Sequence, residues 1–145
     1  MMCECLEPIS NIQKVLVCGS RSITNKSWVH AQIEKYVQEL KSSSPTNLTN
    51  PVLIEGEARG VDSLAKEYAI EHNWSIEACP ADWEKFGKSA GYIRNDAMVK
   101  KADFVIILWD GESRGTKHDI DLCRRRYYKP YVLVIYKKPH PPVRG

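Results

Sequence analysis

Short apolar runs alternate along this chain with stretches in which apolar residues recur every three or four positions. Residues 14–18, 52–54, 104–109 and 131–136 are near-continuous apolar segments. They read as strands buried on both faces. Residues 75–79 form a weaker third strand stopped by Pro80. Between strands the period becomes helical. Residues 26–41 place Val29, Ile33, Tyr36, Val37 and Leu40 on one face, with Thr24 or Asn25 as the cap. Val61, Leu64, Ala65, Tyr68 and Ala69 line a second helix, Ala97 and Met98 face inward from a third over 94–101, and Ile120, Cys123 and Tyr127 are buried by a fourth over 116–127. Residues 82–91 read as a loop over the sheet edge.

The order β-α-β-α-β-α-β-α-β predicts a Rossmann-like three-layer α/β/α sandwich with a mainly parallel five-stranded sheet. The polar stretch 42–47 is too short to link two domains. One domain is therefore expected over 14–136, with an N-terminal extension over 1–13 and a flexible, Pro-rich C-terminal tail over 137–145.

Composition narrows the classes. With 43% hydrophobic and 27% charged residues the 145-residue chain fits an ordinary globular domain. No apolar run approaches the roughly 18 residues that span a bilayer, and Met1 to Glu7 lack the basic and apolar regions of a secretory signal. A cytoplasmic protein with no membrane partner is the expectation. Cys18, Cys79 and Cys123 then read as free thiols. Cys3-x-Cys5 has no Cys/His pair at zinc spacing downstream, so no metal is expected. A net charge of +3 permits an anionic ligand without demanding nucleic acid. Arg124-Arg125-Arg126 falls late in a helix, where cations complement the macrodipole.

Three polar loops follow strand ends, where open parallel sheets bind ligands. Gly19-Ser20-Arg21-Ser22 offers a turn, a hydroxyl and a guanidinium. In Gly56-Glu57-Ala58-Arg59-Gly60-Val61-Asp62 two glycines flank a cation, and Asp62 is either a helix cap or a hydrogen-bond acceptor for a ribose hydroxyl. In Asp110-Gly111-Glu112-Ser113-Arg114-Gly115-Thr116, Thr116 opens a helix whose N-terminus favours an anion. Asp110 and Glu112 must point away from a phosphate or contact a sugar. A fourth element, Arg94-Asn95, begins the helix before the fourth strand, and Trp83, Phe86 and Tyr92 offer faces on which a base can stack. Neither the G-x-G-x-x-G dinucleotide fingerprint nor a Walker loop is present, and no cofactor is called for.

These elements, in order, resemble the SLOG superfamily, the Rossmann-like group that includes the LOG phosphoribohydrolases and DprA. The likeness is nearest to its YpsA-related branch of small domains. It runs from about residue 14 to 136 and rests on Gly19-Ser20-Arg21, Gly56-x-Ala58-Arg59-Gly60-x-Asp62, Arg94-Asn95-x-x-Met98 and Ser113-x-Gly115-Thr116-Lys117-His118. It implies a nucleotide or nucleotide-derived ligand and a homodimer. LOG enzymes cleave the N-glycosidic bond of nucleoside monophosphates with a Pro-Gly-Gly-x-Gly-Thr-x-x-Glu motif and an upstream Arg. Arg94 and Gly115-Thr116 match, and Asp119 stands at the Glu position. Trp109-Asp110-Gly111-Glu112 departs from the lead-in, and aspartate is a methylene short.

The sequence therefore points first to a domain that senses or sequesters a nucleotide-derived small molecule. Its expected contacts are Gly19, Ser20, Arg21, Gly56, Ala58, Arg59, Gly60, Asp62, Arg94, Asn95, Gly111, Ser113, Gly115 and Thr116, with no residue assigned to catalysis. A phosphoribohydrolase-like N-glycosidase or deoxyribosyltransferase-like enzyme ranks second. Single-stranded nucleic-acid binding through Arg124 to Arg126 and Lys137-Lys138 ranks third.

Overall fold

The computed structural model describes residues 12–42, 48 and 50–137. Cys3-x-Cys5, most of the extension, the 43–47 stretch, residue 49 and the tail from 138 onward lie outside the described residues.

Five strands form one sheet: β1 (Ile12–Gly19), β2 (Asn50–Glu55), β3 (Ser75–Ala78), β4 (Phe104–Trp109) and β5 (Tyr131–Ile135). Their order is β3-β2-β1-β4-β5, and every pairing is parallel. The expected architecture is present, with a sheet that is wholly parallel. β1 starts at Ile12, two residues before the predicted domain edge.

The strands are apolar throughout because both faces are covered. Val15 and Val17 point to one side, where Leu53, Ile106 and Leu108 join Val29, Ile33 and Val37 of α1 (Lys26–Ser42) and Leu64, Ala65 and Tyr68 of α2 (Val61–Glu71). Leu16 and Cys18 point to the other, against Met98 and Val99 of α4 (Ala90–Lys101) and Ile120 of α5 (Arg114–Asp121). Asn25 supplies the α1 cap, accepting the Trp28 N–H at 3.0 Å.

Four boundaries differ from the sequence reading. The 82–91 segment is largely helical: α3 (Trp83–Phe86) is capped by Asp82, which accepts the Lys85 N–H at 3.0 Å, and a 3₁₀ turn (Gly87–Ser89) feeds α4. The α4 helix therefore starts four residues before Arg94. Its inward residues are Ala90, Asn95, Met98 and Val99, while Ala97 is exposed. The α5 helix begins at Arg114 with Thr116 third, and it ends in a π-turn over Leu122–Arg126 that the Tyr127 N–H closes on the Leu122 carbonyl at 2.9 Å. Among the described residues no helix is long and apolar enough to cross a membrane.

Candidate functional site

The chain leaves β1 and β4 towards opposite faces of the sheet, so a crevice opens between their carboxyl ends. Gly19 pairs with Leu108 across this point. A Cβ on Gly19 would lie 2.2 Å from the Leu108 carbonyl oxygen and 2.7 Å from the Val61 side chain. The first loop needs its glycine so that β1, β4 and α2 can meet. Gly60, at φ +75°, brings the second loop against the first, where a Cβ would stand 2.5 Å from the Ser20 carbonyl oxygen.

Three hydroxyls meet at the crevice. Ser20 Oγ lies 3.0 Å from Ser113 Oγ and 3.4 Å from Thr116 Oγ1, and Ser113 Oγ donates to Thr116 Oγ1 at 2.7 Å. Ser20 and Thr116 are buried. Because the Ser113 hydroxyl is spent on Thr116, it does not cap α5. The first helical N–H with a backbone partner is that of Lys117, which donates to the Ser113 carbonyl at 3.2 Å. The N–H groups of Arg114, Gly115 and Thr116 are the orphan donors of a helix start.

Asp110 has turned its carboxylate back on its own loop. It accepts the Glu112 and Ser113 N–H groups at 2.8 Å each and the Ser22 hydroxyl at 2.7 Å. Partial burial works to raise its pKa. The Ser22, Glu112, Ser113 and Ser20 contacts outweigh that and hold it at about 2.

Asp62 is not the cap of α2, whose N-cap residue Gly60 makes no side-chain bond. Its Oδ2 accepts the Gly56 N–H at 3.0 Å and the Ala58 N–H at 3.4 Å, folding the second loop. Burial raises its pKa even with those donors, Arg94 and Arg21 nearby. Arg94 donates from Nη1 to the Gly56 carbonyl and from Nε to Asn95 Oδ1 at 2.8 Å. Asn95 Nδ2 reaches the Gly115 carbonyl at 3.4 Å. These bonds tie α4 to the second and third loops.

The resulting cleft has a volume of about 540 Å³. Gly19, Ser20 and Arg21 line it from the first loop, Ala58 and Asp62 from the second, Arg94 and Asn95 from α4, and Ser113, Gly115 and Thr116 from the third. Gly56 lines an adjoining recess. Arg59, Gly60 and Gly111 line neither: Arg59 is exposed, Gly60 sits behind the first loop, and Gly111, at φ +88°, serves the turn. Trp83 and Tyr92 stand on the cleft wall, and Phe86 does not.

The floor carries groups that the sequence reading missed or left open. Asp119 is 4% exposed, lines the cleft, and has an Oδ1 with no hydrogen-bond partner among the described residues. Burial drives its pKa up to about 7, with the Cys18 thiol hydrogen bond lowering it, the Asp62 charge raising it and Arg94 lowering it. Cys18 lies beside it with its own pKa raised by burial. Asp119 follows Thr116 by three residues and so shares its helix face, a spacing visible in the sequence. Cys18 reads only as the last residue of a strand. Lys88 joins the wall from the segment read as a loop. Glu55 is also buried, with Oε2 lacking a partner among the described residues and Oε1 accepting the Glu57 N–H at 2.8 Å, but it lies outside the cleft. Among the described residues no group of three or more His, Cys, Asp or Glu is arranged to hold a metal ion.

A doubly wound parallel sheet with a crevice at its switch point defines a Rossmann-like domain. The family model described as YspA, cpYpsA-related SLOG matches residues 13–86, and this chain belongs to that family. It is 35% identical over 130 residues to the Gene 61 protein of Mycobacterium phage D29, a match spanning 86% of this chain and 95% of the phage protein. It also superposes on DNA processing protein A (DprA) from Streptococcus pneumoniae with a TM-score of 0.62 at 17% identity, covering 84% of this chain. The superposition spans 50% of the DprA chain, so the likeness is one of fold over half of that protein. The family match takes in the first two loops and ends before α4, so Arg94, Asn95 and the third loop rest on the geometry described above.

Proposed function

We propose that this protein binds a nucleotide-derived small molecule at the carboxyl ends of its strands, as a sensor or sequestering domain. One observation carries the reading: the uncapped start of α5, the Ser20, Ser113 and Thr116 hydroxyls, and the Arg21 and Arg94 guanidinium groups all face one cleft. Open N–H groups and hydroxyls suit a phosphate. The unpartnered Asp119 oxygen needs a donor from the same ligand, and a ribose hydroxyl or base amine supplies one. Trp83 and Tyr92 give the base a face.

Thermal-shift titration with AMP, GMP, CMP and UMP tests this. A ligand at tenfold its Kd adds about 1.4 kcal/mol, which raises the melting point of a domain this size by roughly 3–6 °C. The rise should vanish in Arg94→Ala. No shift with any of the four at millimolar concentration refutes the reading.

Asp119 favours a second reading, an N-glycosidase acting on nucleoside monophosphates. A carboxyl near 7 is suited to deliver or take a proton at neutral pH. Chromatography of incubated monophosphates should then show free base, and Asp119→Asn should stop its release. Release that continues unchanged in that variant rules out Asp119 as the acid.

Single-stranded nucleic-acid binding is the third reading, raised by the DNA processing in the structural neighbour's name. The basic run Arg124 to Arg126 lies at the far end of α5 from the cleft, roughly 15 Å along the helix, and Arg126 is paired with Asp96 at 3.3 Å. Oligonucleotide affinity that falls steeply with salt, and is lost when the three arginines become alanine, would support it.

A further inference from the structure

The two edges of the sheet are guarded differently. β3 is four residues long and carries Glu77, which Lys14 pairs at 3.3 Å and Lys101 pairs as well. A short strand bearing a charge is a poor template for another chain. β5, at the opposite edge, reads Tyr-Val-Leu-Val-Ile, with no charge and no proline.

Both faces of β5 are occupied. Tyr131 and Leu133 pack on one core and Val134 on the other. Its inner edge pairs with β4 over all five residues. Its outer edge pairs with no strand among the described residues. Alternate N–H and C=O groups of β5 therefore point away from the sheet. Two exposed apolar side chains mark the ends of this edge: Tyr128, 78% exposed and at φ +52°, and Ile135, 51% exposed.

The charge along this edge has one sign. Residues 124–137 hold five cations, Arg124, Arg125, Arg126, Lys129 and Lys137, and no carboxylate. Arg126 pairs with Asp96, and the other four form no ion pair among the described residues. The acids that flank β4 are already engaged. Asp103 accepts the Lys14 N–H at 2.8 Å, and Asp110 is turned onto its own loop.

We propose that β5 is a docking edge for an extended acidic polypeptide. The partner adds a sixth strand and sets carboxylates beside Arg124, Arg125 and Lys129 at one end and Lys137 at the other. Main-chain hydrogen bonds hold it, and the charges select it. The same charges disfavour a second copy. Twofold pairing of β5 with β5 would be antiparallel, bringing the cations at the start of one strand against Lys137 at the end of the other. Residues 138–145 add two cations and three prolines, which lack the N–H that a ladder needs. Nucleic acid suits the cations but offers the edge no alternating donors and acceptors. No residue of 124–137 lines the cleft or its adjoining recess, so docking here is independent of what the cleft binds.

Fluorescence anisotropy of the full chain with blocked peptides tests this. Each peptide has a central Val-Thr-Val-Thr-Val flanked at both ends by paired glutamates, glutamines or lysines. The glutamate peptide should bind about tenfold tighter than the glutamine peptide, and the lysine peptide weakest. Arg124→Glu/Arg125→Glu should erase most of that preference, with unchanged amide exchange in β1 showing that the variant is folded. In the parent, alternate amides from Tyr131 to Ile135 should exchange freely and slow when the glutamate peptide binds. Equal affinity for the three peptides, no binding of the glutamate peptide at millimolar concentration, or β5 amides protected in the free monomer overturns the assignment. Slowing of those amides by a thymidine oligonucleotide but not by the glutamate peptide gives the edge to nucleic acid instead. Their protection in a dimer detected by sedimentation gives it to a second copy.

Discussion

Asp119→Asn should make this protein more stable at pH 8 and leave it little changed at low pH. The Asp119 carboxyl is held at about 7 in the folded chain against an ordinary value of 3.8. Burial is the main cause, since it disfavours the charged form. Between those values the folded chain keeps a proton that the unfolded chain has released. Stability therefore falls as pH rises across that window, by about 1.4 kcal/mol per pH unit. The contribution is intact below 3.8 and lost above about 7, and the whole effect is at most about 4 kcal/mol. Asparagine has nearly the same shape, keeps an oxygen for the Cys18 thiol and cannot ionise. Urea unfolding of the parent and the variant at half-unit steps from pH 5 to 8 isolates this one group, because every other titration is common to both. The stability difference should grow by roughly 2 kcal/mol in favour of the variant between pH 5 and 7 and level off by about pH 8. Parallel profiles over that range would show that Asp119 is ionised throughout and would refute the account of the cleft floor.

Three further outcomes follow from the loops. Gly115→Ala should raise stability by about 0.5–1 kcal/mol, since a Cβ there meets nothing within 4 Å in the free protein; it should also weaken nucleotide affinity, because the added methyl stands at the open start of α5, and calorimetry with chemical denaturation reads both. Gly19→Ala should cost about 3 kcal/mol, because the Cβ would stand 2.2 Å from the Leu108 carbonyl oxygen and β1 and β4 would have to part; a melting point within a degree or two of the parent would contradict the packing described. Asp110→Ala should cost about 1 kcal/mol at pH 7 through loss of its bonds to Glu112, Ser113 and Ser22. With the carboxyl at about 2 in the folded chain, that difference should persist above 3.8 and close as pH falls from 3.8 towards 2.

The sheet was legible because a strand covered on both faces has an unbroken apolar signature, and Phe104 to Trp109 could be little else. The 82–91 segment was not, because Gly87 and Gly91 and a four-residue helix leave no periodic stretch to detect. Ser89 gives α4 no side-chain cap, so the helix start carries no local marker and its inward face was assigned to Ala97 in place of Val99. Asp110 spends its carboxylate on its own turn and on Ser22, yet it still lines the cleft as a charged group. A carboxylate that accepts the N–H groups two and three residues ahead forms a compact turn, a habit of aspartate that the sequence already allowed. Burial of Asp119 was different in kind. Its spacing from Thr116 was visible, but its loss of solvent depends on β1, which contributes Cys18 from about a hundred residues earlier in the chain.

The charge layout of the cleft constrains what can occupy it more than any single loop does. Its rim is cationic and rich in donors: Arg21, Arg94, Lys88 and the start of α5. Its lining holds three carboxyl groups: Asp62 and Asp119, buried in the floor and each raising the pKa of its surroundings, and Asp110, which stays charged. Asp62 has its loop donors, whereas Asp119 keeps an oxygen without a partner. A bare anion answers the rim and is repelled by the Asp110 carboxylate and, above about pH 7, by Asp119 as well. An apolar molecule answers neither and would leave the Asp119 oxygen desolvated and unpaired, at a cost of about 1–3 kcal/mol. A molecule with an anionic end and hydrogen-bond donors a short distance away satisfies both at once. A phosphorylated ribose has that polarity. If the cleft holds a nucleotide, inorganic phosphate should be a poor substitute for it, because the acidic residues would then accept from the sugar where they would otherwise oppose the phosphate.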